Sequence, residues 1–145
     1  GNLMLGKLVQ NLAKRGCITI DKRSSLFELA DLLSTKKIGA VVIVDENKKP
    51  IGIVSERDIV RHLHKSNEQF FEKSVSDIMS TKLITCGLSY SSSELMELMT
   101  KHKVRHIPIV NNGKLIGMVT IGDVVNRLIE IYETETEHLK KYINS

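Results

Sequence analysis

The sequence predicts a mixed α/β fold (α+β) in which a β-α-β-β-α unit occurs twice and a C-terminal helical extension follows. Three observations support this prediction: a long internal repeat, apolar runs that alternate with stripes at helical spacing, and the same helix-start signature in both copies. Residues 17–44 align with 83–110 and residues 51–63 with 116–128, and 15 of these 41 positions are identical. Two copies of a small unit can bury their apolar faces on each other, which predicts pseudo-two-fold symmetry.

The first half of each copy contains a strand, a helix and a second strand. Short β segments are predicted at 18–20 and 83–86. The following helices are marked by the Ser-x-x-Glu capping box, which begins at Ser25 in the first copy and at Ser91 in the second. Leucines and methionines then recur at helical spacing, and each helix therefore has one apolar stripe.

The second half of each copy contains a hairpin and a second helix. The unbroken apolar runs at 40–44 and 107–110 predict strands that are covered on both faces. Polar turns follow these runs, and the third strands return at 51–54 and 116–119. A second helix is expected to begin at Ser55 or Thr120.

The repeat predicts how the chain is divided. We expect an N-terminal segment that packs on the module, a first repeat, a polar connector with a short helical element near 75–79, a second repeat and a C-terminal helical extension; their ranges are 1–16, 17–64, 65–81, 82–130 and 131–145.

Composition narrows the class of protein. The chain has 145 residues, of which 41% are hydrophobic and 26% charged, which is typical of a soluble globular domain. No apolar run approaches the length of about 18 residues that a membrane span needs. The net charge of +4 invites a nucleic-acid hypothesis, but basic residues are spread among carboxylates and only 4% of residues are aromatic. Cys17 and Cys86 have apolar neighbours, which favours buried thiols in a reducing compartment such as the cytoplasm.

The end of the third strand carries the strongest local motif. Gly52 and Gly117 each open the pattern glycine, two apolar residues, hydroxyl, two residues, aspartate. The structural interpretation is a helix cap in which the hydroxyl accepts an amide and the carboxylate favours the positive helix start. The functional interpretation is a nucleotide site in which the carboxylate accepts both ribose hydroxyls. Spacing alone leaves both open, with the cap favoured.

The full pattern resembles tandem cystathionine-β-synthase (CBS) domains, and the pair resembles a Bateman module over roughly residues 15–130. The motifs that carry the resemblance are threonine on the first strand, the glycine-to-aspartate motif after the hairpin, and an apolar-proline pair on one second strand. SERDIVRHL, RHIPIV and TIGDVVNRL are similar to segments of small stand-alone two-CBS proteins of bacteria.

The resemblance implies adenine-nucleotide binding in clefts between the repeats, with each pocket drawing on both copies. One pocket would combine Thr19, Ile38, Gly39 and Ala40 with Met118, Thr120 and Asp123. Its partner would combine Thr85, Val104, Arg105, His106 and Pro108 with Ile53, Ser55 and Asp58.

The two copies differ where phosphate would be contacted. Arg105 and His106 replace Gly39 and Ala40, whereas Arg57 has Gly122 as its counterpart. Because a guanidinium binds phosphate bidentately, Arg57 and Arg105 are the phosphate candidates, with His106 and Lys103 as lesser ones. The alternative for these side chains is a surface or interface ion pair. This difference between the copies predicts that the two sites do not bind a ligand equally.

The sequence therefore favours a non-catalytic regulatory module that binds AMP or ATP ahead of NAD(H) or S-adenosylmethionine and needs no cofactor or metal. No catalytic set of residues stands out, and His62 and His64 lack metal spacing. The alternative is a dimerisation or partner-docking module with degenerate pockets. The resemblance implies a homodimer. We expect the apolar faces of the second helices to form the dimer contacts, through Ile59, Val60, Leu63, Val124, Val125 and Leu128. Nucleic acid and membrane are not expected partners.

Overall fold

The computed structural model describes residues 8–65 and 67–144. In chain order its elements are α1 (Leu8–Lys14), β1 (Thr19–Ile20), α2 (Leu26–Lys36), β2 (Ala40–Val44), β3 (Pro50–Ser55), α3 (Glu56–Leu63), two 3-10 turns (Phe70–Glu72 and Val75–Asp77), α4 (Ser92–His102), β4 (His106–Asn111), β5 (Lys114–Thr120) and α5 (Ile121–Asn144). The element order confirms the predicted mixed fold and the C-terminal helix.

The chain forms two compact units. The first-repeat unit contains Cys17–Leu83 and Asn111–Leu115. Of the described residues, the second-repeat unit contains 8–16, Ile84–Val110 and 116–144.

The first-repeat unit contains a three-stranded sheet in the order β1-β2-β3. β1 pairs with β2 in parallel, with Thr19 opposite Val42, and β2 pairs with β3 antiparallel. Val41, Val42 and Ile43 are fully buried, as expected for a strand covered on both faces.

The second-repeat unit has a two-stranded sheet of β4 and β5, and the strand predicted at 83–86 is reduced to one parallel bridge between Cys86 and Ile109. The Cys86 amide donates to the Pro108 carbonyl at 3.0 Å, and the Val110 amide donates to the Cys86 carbonyl at 2.9 Å. The preceding rung would run from the amide of residue 108 to the carbonyl of Ile84. Because proline has no N–H, that rung cannot form. Pro108 therefore explains why this part of the strand prediction was wrong.

The predicted helix caps are present. Ser91 and Glu94 form the full capping box of α4, and the Ser25 hydroxyl accepts the Glu28 amide at the start of α2. Both helices end alike, since Lys37 and Lys103 each adopt the left-handed conformation at φ 54°.

Each unit has its own apolar core, and each is completed by a segment that the repeat alignment had left out. Val9 and Leu12 of α1 pack in the second-repeat core, whereas Val75 and Ile78 pack in the first-repeat core. These pairs are separated by the same 66-residue offset as Thr19 and Thr85. The duplicated unit thus begins near residue 9 and near residue 75, and each leading segment packs on the other repeat.

Each leading segment makes a close approach to a glycine. A Cβ atom at Gly117 would lie 3.1 Å from the Ala13 Cα atom, and a Cβ atom at Gly52 would lie 2.6 Å from the Met79 Sδ atom. Packing therefore requires glycine at 117, where the nearest atom is backbone, and favours it at 52, where the nearest atom belongs to a flexible side chain.

The second helices only partly match the predicted dimer contacts. Val124 is fully buried in the second-repeat core, so it was wrong as a surface contact, whereas Ile59 and Leu128 are only partly buried against their own cores and stay predictions. Val60, Leu63 and Val125 are exposed. Within residues 8–65 and 67–144, no helix combines the length and apolar character that crossing a membrane requires.

Candidate functional site

The first candidate carboxylate is Asp58, at the start of α3. Its Oδ2 atom accepts the Ser55 amide at 2.8 Å and the Ser55 hydroxyl at 3.0 Å, and the Asp58 amide donates to the same hydroxyl at 3.3 Å. This is a complete capping box on a partly buried residue. The Oδ1 atom makes no hydrogen bond to any residue that the structure describes. Asp58 therefore keeps one oxygen available to a ligand.

The second candidate carboxylate, Asp123, lies in the first turn of α5 and also caps its helix. Its Oδ2 atom accepts the Thr120 amide at 2.8 Å, and the Asp123 amide donates to the Thr120 hydroxyl at 3.1 Å. The structural interpretation of the motif is thus correct in both repeats. A cap and a ligand-binding carboxylate are compatible, because an ionised carboxylate has about four acceptor positions.

Asp123 differs from Asp58 through Arg15, which follows α1. Arg15 donates from Nη1 to Asp123 Oδ1 at 3.1 Å and from Nη2 to Asp123 Oδ2 at 2.6 Å. Arg15 Nη2 also donates to the Met118 carbonyl at 3.1 Å. Arg15 therefore contacts two of the residues predicted for this site.

The charge state of Asp123 reflects these contacts. Burial raises the pKa of the carboxyl group, but hydrogen bonds from Arg15 and Thr120 together with the charge of Arg15 outweigh it, so the net pKa lies below its ordinary value. Asp123 is ionised at neutral pH and can accept hydrogen bonds.

The residues predicted to face adenine lie next to the carboxylate of their own repeat. The Glu56 amide donates to the Gly39 carbonyl at 2.9 Å, and Ala40 is opposite Ser55 in the sheet. In the second-repeat unit the Ile121 amide donates to the Arg105 carbonyl, also at 2.9 Å. Each unit thus brings the start of its second strand to the end of its third.

The remaining predicted residues are divided between the units. Thr19, Ile38 and Ile53 belong to the first-repeat unit, and Thr85, Val104, His106 and Pro108 belong to the second. Pro108 and Met118 are buried, and both threonines are exposed. The combination of residues from different repeats in one pocket stays a prediction.

The phosphate candidates Arg57 and Arg105 are both exposed. Neither side chain forms a salt bridge with a residue in the described part of the chain, so the ion-pair alternative has no support there. Both guanidinium groups are accessible to an anion. Lys103 is the left-handed C-cap of α4 through its backbone, and its side chain is exposed.

A cleft of about 650 Å³ lies in the first-repeat unit, away from the predicted carboxylate. Its lining residues are Thr19, Ile20, Asp21, Lys22, Arg23, Val44, Asp45, Glu46 and Ile51. Thr19 is the only predicted site residue among them. We place the candidate site at the aspartates because the cleft offers mixed charges with no buried polar group aimed into it.

The other sequence predictions concern metal and thiol chemistry. No cluster of metal-ligating side chains occurs among residues 8–65 and 67–144. Both cysteines are thiols: Cys86 is buried, whereas Cys17 is only partly buried. Burial raises the pKa of the Cys86 thiol to about 12, so this sulfur is unreactive at neutral pH.

Arg15 is the residue that sequence reasoning missed. It is 108 positions from Asp123 and lies upstream of the range in which the repeat was aligned. The 66-residue offset could have identified its counterpart as Thr81, a neutral residue, and so revealed a further difference between the copies.

Comparison with known proteins gives the family. The model of the CBS domain matches twice, at residues 9–65 and 75–130. An uncharacterised protein of Methanopyrus kandleri is 36% identical over 135 residues, which cover 92% of this chain and 69% of that protein.

Solved structures show the same fold. A CBS-domain containing protein from Agrobacterium tumefaciens is 35% identical, with a TM-score of 0.77 over 82% of this chain and 91% of that one. CBSX2, solved in complex with AMP, is 27% identical, with a TM-score of 0.68 over 80% of this chain and 90% of its own. A CBS-domain pair in complex with 5′-methylthioadenosine and S-adenosyl-L-methionine is 28% identical, with a TM-score of 0.66 over 77% of this chain and 91% of its own. Two family matches in register, on a fold shared with these structures, show that the chain belongs to the CBS-domain family.

Proposed function

We propose that this CBS-domain pair is a non-catalytic regulatory module that binds adenine nucleotides, AMP first among them, at sites that contain Asp58 and Asp123. The observation that carries the proposal is the pair of ionisable, partly buried aspartates, each held by a capping box at the start of a helix. Two similar CBS-domain structures contain AMP or other adenosyl ligands.

The local chemistry suits a nucleotide. A carboxylate can accept both hydroxyls of a ribose, and the positive end of a helix favours an anionic ligand. The exposed guanidinium groups of Arg57 and Arg105 can bind phosphate in a bidentate manner. ATP, NAD(H) and S-adenosylmethionine share the adenosyl group and are the next candidates.

Regulation would follow from differential binding. A ligand that contacts both repeats, as the family resemblance predicts, stabilises the arrangement that it binds better and shifts the population toward it. A cytoplasmic location is part of this proposal, and the two free thiols fit a reducing compartment.

The test is calorimetric titration of AMP into the unmodified protein and into the Asp58→Ala and Asp123→Ala variants. Each variant should lose affinity at its own site by roughly tenfold or more, since a hydrogen bond to a charged group contributes about 1.5–3 kcal/mol. Native mass spectrometry of the purified protein would show the number of bound nucleotides.

Asp77→Ala is the matched control. Asp77 also closes a capping box, accepting the Ser74 amide at 3.0 Å, but it is exposed and lies outside the predicted sites. This variant should lose the cap contribution of about 1 kcal/mol and bind AMP normally. If Asp58→Ala and Asp123→Ala behave in the same way, the aspartates only cap helices and the proposal is wrong.

A dimerisation module is the second candidate, and the exposed apolar side chains on α3 favour it. Val60 is 68% exposed and Leu63 is 42% exposed, on a helix that buries no residue fully. A homodimer that covers these side chains should dissociate when Val60 is changed to Asp. Sedimentation equilibrium of the two proteins checks this, and an unchanged mass would exclude α3 as the contact.

A further inference from the structure

We infer that Arg15 is a specificity-determining residue of the Asp123 site, where it competes with the ribose of a ligand and makes this site weaker than the Asp58 site. The inference rests on the proposed function, since it assumes that ribose hydroxyls bind the two aspartates. It goes beyond that function by naming a residue outside the predicted site and by ranking the sites.

The first step is a count of acceptor positions. A carboxylate offers about four of them, and a vicinal diol needs two. Asp58 uses two positions, both on Oδ2, and keeps Oδ1 open. Asp123 uses at least three, because Arg15 donates to both oxygens while Thr120 donates to Oδ2. A diol therefore fits Asp58 as it stands but must displace at least one Arg15 contact at Asp123.

The second step is the strength of the Arg15 contact. The pair is bidentate and its shorter distance is 2.6 Å, the geometry of a strong charge-assisted hydrogen bond. The Asp123 side chain is 17% exposed and the Arg15 side chain 48% exposed. Asp123 is thus desolvated enough to hold its partner, whereas Arg15 borders solvent and can leave without crossing the core.

The third step is that, of the two aspartates, only Asp123 forms a salt bridge with an arginine in the part of the chain that the structure describes. At the 66-residue offset the counterpart of Arg15 is Thr81, which carries no charge. Arg15 also donates to the Met118 carbonyl, so it lies along the edge of the predicted adenosine site. The inequality of the two sites thus has a physical cause in the segment that leads into each repeat.

Adenosine is the right probe, because it carries the diol but no phosphate that could attract Arg15 directly. We would titrate it into Asp58→Ala protein, which retains the Asp123 site, and into Asp123→Ala protein, which retains the Asp58 site. The Asp58 site should bind adenosine more tightly. Adding Arg15→Ala to Asp58→Ala should strengthen binding at the Asp123 site by roughly two- to fivefold, the range of a partly exposed ion pair.

Two further variants act as controls. Lys14→Ala removes the same charge from the neighbouring exposed position at the end of α1 and should leave adenosine affinity unchanged. Arg15→Lys keeps the charge but loses the bidentate fork, so its adenosine affinity should fall between that of protein with the native arginine and that of the Arg15→Ala variant. Thermal melts of every variant report whether it is folded.

A salt series tests the inference without changing Arg15. In Asp58→Ala protein, higher ionic strength should strengthen adenosine binding, because salt screens the partly exposed ion pair while adenosine is neutral. The same series on Arg15→Ala/Asp58→Ala protein should be flat.

The outcomes separate the two claims. If AMP binds the unmodified protein but Arg15→Ala leaves adenosine affinity at the Asp123 site unchanged or lowers it, Arg15 does not compete and the inference is overturned while the proposed function stands. If neither AMP nor adenosine binds the unmodified protein or any variant, the proposed function fails, and the inference fails with it.

Discussion

The two repeats have the same order of elements but differ in how their sheets are completed. The first-repeat unit has three strands, whereas the second-repeat unit has two strands and a single bridge at Cys86. One residue accounts for the difference, since Val42 in the first repeat corresponds to Pro108 in the second. A duplicated fold can therefore tolerate the loss of a strand pair in one copy, provided that the apolar core of that copy is retained.

The largest effect is expected from exchanging these two residues. Val42→Pro would remove a ladder hydrogen bond from the fully buried central strand of the first-repeat sheet, at a cost on the order of 3 kcal/mol. Pro108→Val would instead supply the missing amide opposite Ile84. Urea denaturation should show a large loss in the free energy of unfolding of Val42→Pro protein. Hydrogen exchange should show a protected amide at residue 108 in Pro108→Val protein.

A Pro108→Val protein in which the new amide exchanges freely would contradict this account. The three-stranded and two-stranded sheets would then differ for a reason other than the missing N–H group.

The next effect concerns the glycines that the leading segments approach. Gly117→Ala should cost about 1–3 kcal/mol, because the new methyl group would meet the Ala13 Cα atom at 3.1 Å, and this backbone cannot move without shifting α1. Gly52→Ala should cost less, since the nearest atom, the Met79 Sδ, belongs to a flexible side chain. Thermal denaturation of the two variants measures the difference.

A second change sharpens this comparison. Met79→Ala should relieve most of the clash in Gly52→Ala protein. In Gly117→Ala protein the Ile109 side chain lies 3.1 Å from the new methyl group, but shortening Ile109 should not rescue stability, because the Ala13 backbone remains in place. If both glycine variants lost the same stability, the α1 backbone would move aside as readily as the Met79 side chain, and the comparison would be wrong.

The smallest effect is the pH dependence of the Arg15–Asp123 pair. The folded-state pKa of Asp123 lies below its unfolded value of 3.8, so the contribution to stability is complete above that value and is lost as the pH falls through the folded pKa. Arg15→Gln should lower the free energy of unfolding by about 0.5 kcal/mol at neutral pH, since the pair is partly exposed. The difference should shrink below about pH 4.

The first-repeat unit offers the matched pair for this measurement. The Arg23 guanidinium donates twice to Asp21 and the Arg23 amide once, and these bonds lower the pKa of that carboxyl to about 2, but both side chains are largely exposed. Arg23→Gln should therefore change the melting temperature less than Arg15→Gln at neutral pH. A larger change would mean that exposure does not govern the strength of these pairs.

Much of the fold followed from local patterns. The Ser91–Glu94 cap and the buried strand at 40–44 were predicted because capping, turn chemistry and apolar periodicity act over a few residues. The strand at 83–86 was overpredicted, because its pairing depends on a donor on a different strand, at position 108. Val124 was misplaced on the surface, since the apolar stripe of a helix does not tell which neighbour covers it.

The candidate site divides in the same way. The aspartates and their hydroxyl partners are three residues apart, so the capping geometry of Asp58 and Asp123 could be read from spacing. Arg15 could not, because it reaches Asp123 across 108 positions and only after α1 has packed on the second-repeat core.

The sequence by itself determined the duplication, the order of elements in each copy and the two aspartates, since these depend on short-range hydrogen bonding and on apolar periodicity. Only the tertiary structure decided which leading segment completes which core, why Pro108 leaves one sheet a strand short, and that Arg15 pairs with one aspartate and not the other. The reason is physical: contacts between distant segments are selected by packing and desolvation in the folded chain, and neither is encoded in the spacing of neighbouring residues.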